Sequence, residues 1–324
     1  MTPRNLILEG DALTILRGLA PSSVACVVTS PPYFRARDYQ VAGQLGQEAD
    51  IEAWVGNLRT VAREIARVLV PTGSFWLNVG DGYSNHARLG APPKSLLLAP
   101  ERLVRALAAD GWIVRNKVAW IKTNPLPSPV SDRLTNTWEP VFHLTRQRDY
   151  FYDLDAIRVP LKTPHKRGSA LVTPAHALGE LAGTRVGLAR MAREGRKGHV
   201  LGRNPGDSWH LPTGSRRGTH FATFPDALVR RPILATAPRQ VCIACGSPWR
   251  RSRRAVRFLE GVPQPRPFVP CGCNAPTRSG LVLDPFVGSG TTCRVAAELG
   301  RDWLGAELSG EFAELARQRI SEVA

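Results

Sequence analysis

Residues 282–292 read VLDPFVGSGTT: an apolar run, a Gly-Ser-Gly turn, then residues suited to a helix. Glycines at 288 and 290 let the backbone approach a ligand closely, and the start of the following helix presents free N–H groups. The spacing is not G-x-G-x-x-G and no lysine follows the turn, so neither a dinucleotide fingerprint nor a phosphate loop is matched. Around the turn, 280–286 reads as a strand, 291–299 as a helix, 302–308 as a strand and 311–323 as a helix. Glu307 ends the second strand, 17 residues after Gly290, where an acid can hold ribose hydroxyls. A nucleoside ligand without a pyrophosphate fits best. Alone, a Gly-x-Gly turn is often only a tight turn.

These last 45 residues are too few to bury their own faces. The first half of the chain supplies what they lack. Strand-like runs at 5–9, 24–29, 74–79, 112–122 and 138–145 alternate with helical patterns at 12–19, 50–70 and 95–109. Over 50–70 the apolar residues Ile51, Trp54, Val55, Leu58, Val61, Ile65, Val68 and Leu69 recur at helical spacing, and Pro71-Thr72-Gly73 is expected to end the helix. The alternation predicts an α/β fold, a mostly parallel sheet with helices on both faces, built from both ends of the chain. Between those ends the texture changes. Residues 161–220 carry 11 Lys/Arg against 3 Asp/Glu, five of the seven histidines, and no clean period. They read as an inserted recognition region or a disordered linker.

A second motif follows the strand ending at Val28: Thr29-Ser30-Pro31-Pro32-Tyr33. Two prolines fix the backbone and remove two N–H donors. The carbonyls of Ser30 and Pro31 can then point at one spot as acceptors, and Tyr33 offers a flat ring. Acceptors beside a π-face suit an exocyclic amino group on a planar base. Pro-Pro alone would indicate no more than a rigid turn.

Strand-Ser-Pro-Pro-Tyr early and Asp-Pro-Phe-x-Gly-Ser-Gly-Thr-Thr late resembles the β-class amino DNA methyltransferases, which modify cytosine N4 or adenine N6. In that family the catalytic motif precedes the S-adenosylmethionine motif, with target recognition between them. Further stretches are similar to the family: EGDA at 9–12, GSFWLNVGD at 73–81, KVAWIKTN at 117–124, THFATFPDAL at 219–228 and GAEL at 305–308. The similarity covers about 5–160 and 218–322. It implies a Rossmann-like S-adenosylmethionine-dependent methyltransferase fold in circularly permuted motif order. The organisation it implies is a catalytic half at 1–160, a target-recognition insertion at 161–217, a cofactor-closing segment at 218–238, a cysteine-rich insertion at 239–275 and a cofactor-binding half at 276–324.

The resemblance also assigns residues. Ser30, Pro31, Pro32 and Tyr33 would be catalytic: Tyr33 stacks on a base flipped out of double-stranded DNA, while Ser30 and the Pro31 carbonyl bind its amino group. The cofactor would lie against Asp11, Ala12 and Thr29. It would also meet His220, Phe221, Phe224 and Pro225, then Asp284, Pro285, Phe286, Gly288, Ser289, Gly290, Thr291 and Thr292, and finally Glu307 and Leu308. For His220, packing or helix capping fits as well. Cytosine-N4 members commonly carry Ser-Pro-Pro-Tyr and adenine-N6 members Asp-Pro-Pro-Tyr, so Ser30 favours cytosine. The alternatives are an adenine-N6 enzyme and a catalytically idle zinc-containing DNA-binding protein. A homodimer and a cognate restriction endonuclease are partners that the family relationship brings in.

Charge and cysteines agree with this reading. Lys plus Arg is 43 and Asp plus Glu 27, a net charge of +16 that favours a polyanionic partner. No run of 18 apolar residues is present, so no membrane helix is expected. The N-terminus lacks a secretory pattern, which predicts a reducing cytoplasm and no disulfides. Four of the six cysteines, Cys242, Cys245, Cys271 and Cys273, form a C-x-x-C and C-x-C pair. Four thiolates without a nearby histidine read as a closed structural zinc site. The gap of 25 residues departs from common zinc-ribbon spacing; four reduced buried cysteines are the lesser alternative, because the cysteines pair so tightly in sequence. Between them, WRRSRR at 249–254 could meet DNA phosphates or simply be solvated. Cys26 and Cys293 are expected to be core residues.

Overall fold

Eight strands, numbered in chain order, form one sheet: β1 (Leu6–Glu9), β2 (Val24–Thr29), β3 (Leu69–Asn78), β4 (Ile113–Lys122), β5 (Trp138–Thr145), β6 (Ser208–Leu211), β7 (Leu281–Asp284) and β8 (Asp302–Glu307). They come from a computed structural model that describes residues 2–161, 199–214, 224–252, 254, 256–260 and 262–323. The spatial order is β1-β8-β7-β2-β3-β5-β4-β6. Every neighbouring pair is parallel except those that β5 makes with β3 and β4.

Helices cover both faces. On one side α1 (Ala12–Gly18), α2 (Ile51–Val68) and α3 (Ala99–Ala109) bury Leu16, Trp54, Ile65 and Leu103 against Val27, Phe75, Leu77 and Leu283. On the other, α4 (Asp226–Thr236), α5 (Thr291–Glu298) and α6 (Gly310–Ser321) bury Ile233, Val295 and Ile320 against Cys26, Val28, Trp76 and Val282. The two glycine- and proline-marked motifs leave adjacent strands: β2 runs on toward α2, and β7 runs into α5 on the opposite face. That reversal is the topological switch point, where open α/β sheets open a crevice at the carboxyl ends of their strands. Its two strands come from opposite ends of the chain, so the permuted order is visible in the register Val282 opposite Cys26 and Leu283 opposite Val27.

Three local expectations change. Pro71-Thr72-Gly73 does not follow the helix as a turn. Strand β3 starts at Leu69 and passes through it, beside a register shift between Val24 and Cys26. A bulge accommodates a proline that a regular ladder would reject. The helix expected from 95 starts only at Ala99, because the Asp81 carboxylate accepts the N–H groups of Leu98 at 3.1 Å and Ala99 at 3.0 Å. Residues 208–211, within the stretch read as the basic insertion, instead form the edge strand β6, with Trp209 buried.

A second unit comprises Leu154–Pro205 and Arg251–Phe268. Its described part centres on Asp155, whose side chain is fully buried between Arg158 at 2.9 Å and Arg266 at 2.8 Å. Among the described residues no helix is long and apolar enough to cross a membrane.

Candidate active site

The Ser30–Tyr33 turn is held from several sides. Pro31 is buried, and Trp54 of α2 donates its indole N–H to the Pro32 carbonyl at 3.0 Å. The Tyr33 hydroxyl donates to Glu139 Oε2 at 2.8 Å and accepts from Ser30 Oγ at 3.2 Å; Asn78 Oδ1 lies 3.3 Å away. Lys122 Nζ donates to the other oxygen of Glu139 at 2.5 Å. Burial, and then the charge of Glu139, push the Tyr33 phenol well above its ordinary range, so it stays protonated. The ring rests on backbone: a Cβ on Gly80 would come within 2.6 Å of Tyr33 Cε2.

The turn after β7 is pinned from beneath. Asp284, 1% exposed, accepts from the Thr29 hydroxyl at 2.5 Å and from the Phe286 N–H at 3.1 Å. Thr292 Oγ1 donates to the Val28 carbonyl at 3.2 Å. Burial raises the Asp284 carboxyl to about 6, although the hydrogen bonds from Thr29 and Thr292 pull it down. Arg319 bonds both the carbonyl and the hydroxyl of Ser289. Gly290 adopts φ +85°, and a Cβ there would meet Ala316 at 3.1 Å, so this glycine lets α6 pack close behind the turn.

Between the two motifs lies an open cleft. Its lining includes Asp11, Ala12, Ser30, Pro32, Phe224, Pro285, Phe286, Gly288, Ser289, Thr291, Glu307 and Leu308. Glu307 Oε2 accepts the Gly288 N–H at 2.8 Å and Oε1 the Ser309 N–H at 3.0 Å. Burial raises its carboxyl, and those N–H groups oppose the rise. Asp11 caps α1 by accepting from Thr14 N at 2.8 Å.

Several expected residues do not line the cleft. Asp284, Thr29, Gly290 and Thr292 lie beneath it as its support, Pro31 turns toward the core, and Tyr33 stands behind Ser30 and Pro32 rather than on the lining. Pro225 caps α4 beside Phe224. His220 and Phe221 fall outside the described residues. Conversely, Tyr39, Gln44, Leu45 and Phe312 line the cleft without a motif of their own. Tyr39 meets Phe312 edge-on at 6.5 Å. Residues 34–49 have no period that would have revealed this. Glu139, Lys122, Asn78 and Gly80 gather behind Tyr33 through strand pairing alone.

A family model described as DNA methylase, of the N6/N4 amino type, matches residues 24–318. This chain belongs to that family. The type II methyltransferase M.SmaI of Serratia marcescens is 31% identical over 335 residues, spanning 97% of this chain and 90% of its own length. M.Cfr9I of Citrobacter freundii is 32% identical over 97% of this chain and 87% of its own. Among solved structures, the cytosine-N4-specific PvuII DNA methyltransferase superposes with a TM-score of 0.59 at 18% identity. It covers 100% of this chain and 92% of its own. A DNA modification methylase from Thermus thermophilus gives 0.56 at 23% identity, over 98% and 95%. The methylase fold is therefore the permuted Rossmann-like one described above.

The methylase carries one further cluster. The Sγ atoms of Cys242, Cys245, Cys271 and Cys273 all lie within 4.8 Å of one another. Val241–Cys242 pairs antiparallel with Thr277–Arg278, and Gly246, at φ +70°, closes a turn onto the Cys242 carbonyl at 2.9 Å. Four such thiols can hold a metal. Cys26 and Cys293 are fully buried in the core.

Proposed function

We propose that this methylase transfers a methyl group from S-adenosylmethionine to the N4 amino group of a cytosine flipped out of double-stranded DNA at a specific site. The observation that carries this reading is that Ser30 stands on the wall of the cleft whose other walls are Phe286, Gly288 and Glu307. The choice of cytosine rests on Ser30, a hydroxyl where adenine-N6 members commonly have a carboxylate.

The cleft suits the cofactor chemically. The Glu307 carboxylate, already steadied by two N–H groups, keeps lone pairs for a ribose diol. Phe286, Phe312 and Tyr39 offer faces for adenine, and Asp11 a second acceptor. The acidic walls favour a sulfonium cation. S-adenosylmethionine bound there supplies an electrophilic methyl group. The protein's part is mostly positioning. Ser30 Oγ and the Pro31 carbonyl accept the amino hydrogens and orient the nitrogen lone pair. Tyr33, locked by Glu139 and backed by Gly80, presents its ring to the base. The chain Ser30 to Tyr33 to Glu139 runs donor to acceptor. It gives the proton left on the methylated nitrogen a route: to Ser30 Oγ, from Ser30 to the Tyr33 oxygen, and from Tyr33 to the Glu139 carboxylate.

The same proposal includes a structural zinc at Cys242, Cys245, Cys271 and Cys273. Tetrahedral Zn–S bonds of about 2.3 Å put sulfurs about 3.8 Å apart, within the 4.8 Å that bounds the four Sγ atoms. Four thiolates leave no open position for chemistry.

The test is nucleoside mass spectrometry on DNA from cells expressing the methylase or its Tyr33→Ala variant. N4-methylcytosine that disappears in the variant is the expected result. N6-methyladenine would overturn the reading of Ser30, and neither product would overturn the activity.

A further inference from the structure

Leu126 and Leu134 are 86% and 89% exposed, more than any other large hydrophobic residue described. Single exposed leucines are ordinary, but this pair shares one braced loop, residues 123–137, between β4 and β5. Leu126 stands between Pro125 and Pro127, which stiffen the backbone on both sides of it. Asp132 is paired with Lys94 at 2.7 Å, and Arg133 stacks on Tyr83 at 3.5 Å. Asn136 accepts from the Tyr83 hydroxyl at 3.2 Å, and Asn124 from Thr213 N at 2.7 Å. The loop is thus tied down near both ends while its two leucines point into water.

The strand directions put this loop at the active-site end of the sheet. β5 runs antiparallel to β3 and β4 antiparallel to β5, so Lys122 and Glu139 emerge where β2 delivers Ser30 and Tyr33. Those two residues pair at the foot of the loop, and Glu139 holds the Tyr33 hydroxyl. Leu126 is four residues from Lys122 and Leu134 five from Glu139. A chain spans at most about 3.6 Å per residue, so both leucines stay within about 18 Å of the strand ends. Along the loop's course Lys94 is paired with Asp132 and Lys122 with Glu139, which leaves Arg133 as the loop's cation outside those two pairs.

We propose that Leu126 and Leu134 are a DNA wedge, entering the base stack to occupy the space that the target base vacates. This rests on the methyltransferase reading above. A flipped base leaves unstacked neighbours at a cost of a few kcal/mol, and rigid apolar side chains are the groups that replace lost stacking. Arg133, next to Leu134 on a chain with a net charge of +16, suits a polyanion, which favours DNA over a protein partner for these leucines.

The experiment uses the full chain and a duplex carrying the site located by sequencing the methylated DNA. The Leu126→Ala, Leu134→Ala double variant should methylate the matched duplex about 10-fold more slowly or worse. Both side chains are solvent-exposed, so its melting temperature should match the wild type. Placing an abasic position opposite the target removes the pairing that resists flipping. On that duplex the variant should come within about 3-fold of wild type. Wild-type turnover by the variant on the matched duplex would overturn the wedge, as would a loss that the abasic substrate does not relieve. A wild-type chain that methylates no DNA would instead overturn the underlying reading, and the wedge with it.

Discussion

The hydroxyl of Thr29 donates a 2.5 Å hydrogen bond to the buried carboxylate of Asp284, joining residues 255 positions apart. It closes the switch point of the sheet. The strand ending in Ser-Pro-Pro-Tyr and the strand ending in Asp-Pro-Phe are locked edge to edge, so the walls of the cleft have one fixed separation. Asp284 itself bonds Thr29 and the Phe286 N–H and does not line the cleft.

Asp284 should make stability depend on pH. Its carboxyl is raised to about 6 by burial, so the folded state holds the proton more tightly than the unfolded chain does. That contribution is fully present below about pH 4 and is lost as pH rises through 6. A rise from 3.8 to about 6 corresponds to about 3 kcal/mol. Asp284→Asn keeps an acceptor for Thr29 and removes the titration. Urea unfolding from pH 4 to 7 should show the wild type losing about that much relative to the variant. Parallel curves would disprove the assignment.

Glu139→Gln should lower kcat by about 100-fold with little change in melting temperature, the usual scale for removing a proton acceptor. Lys122 keeps a hydrogen-bond partner in the variant, so the fold is preserved. Tyr33→Phe keeps the ring and breaks the same chain, and should cost about as much. Tyr33→Ala loses the stacking face as well and should be far worse. Equal rates for Tyr33→Phe and wild type in single-turnover assays would rule out the proton route while leaving the stacking role.

Gly80→Ala would place a methyl group 2.6 Å from the Tyr33 ring. The ring is held by its contacts with Ser30, Asn78 and Glu139, so displacing it should cost about 1–3 kcal/mol of stability while turnover falls sharply. Calorimetry and methyl-transfer rates on the same preparation separate the two. Unimpaired turnover would mean that Tyr33 can work from a displaced position.

One zinc per chain is expected by elemental analysis. It should be released when thiol reagents modify Cys242, Cys245, Cys271 and Cys273. Cys245→Ser should lower the melting temperature and zinc content together, and chelation should bring the wild type down to the variant's value. A metal-free preparation with the same melting temperature would show that the thiols pack without an ion.

Much of this was written locally. The helix at 51–68 follows from Asp50 as cap and apolar residues at helical spacing, and β2 from an unbroken apolar run. Local chemistry also set the Gly-Ser-Gly turn and the rigid prolines, because φ restrictions and side-chain periodicity act over a few residues. The order of the two motifs, with too little sheet at either end, already required a permuted sheet.

Other features needed the folded chain. Leu69–Asn78 keeps its proline because a bulge against β2 absorbs it, and 208–211 becomes a strand only because β4 offers an open edge. Glu139 reaches Tyr33 from a strand more than 100 residues away by pairing register, which no local pattern encodes. The same holds for Asp284: its motif marks a ligand turn, but only packing decides that the carboxylate faces Thr29 and the flanking residues face the cleft. Sequence periodicity sets which face a residue occupies. Which partner waits on that face depends on contacts between distant segments, and those exist only once the sheet has closed.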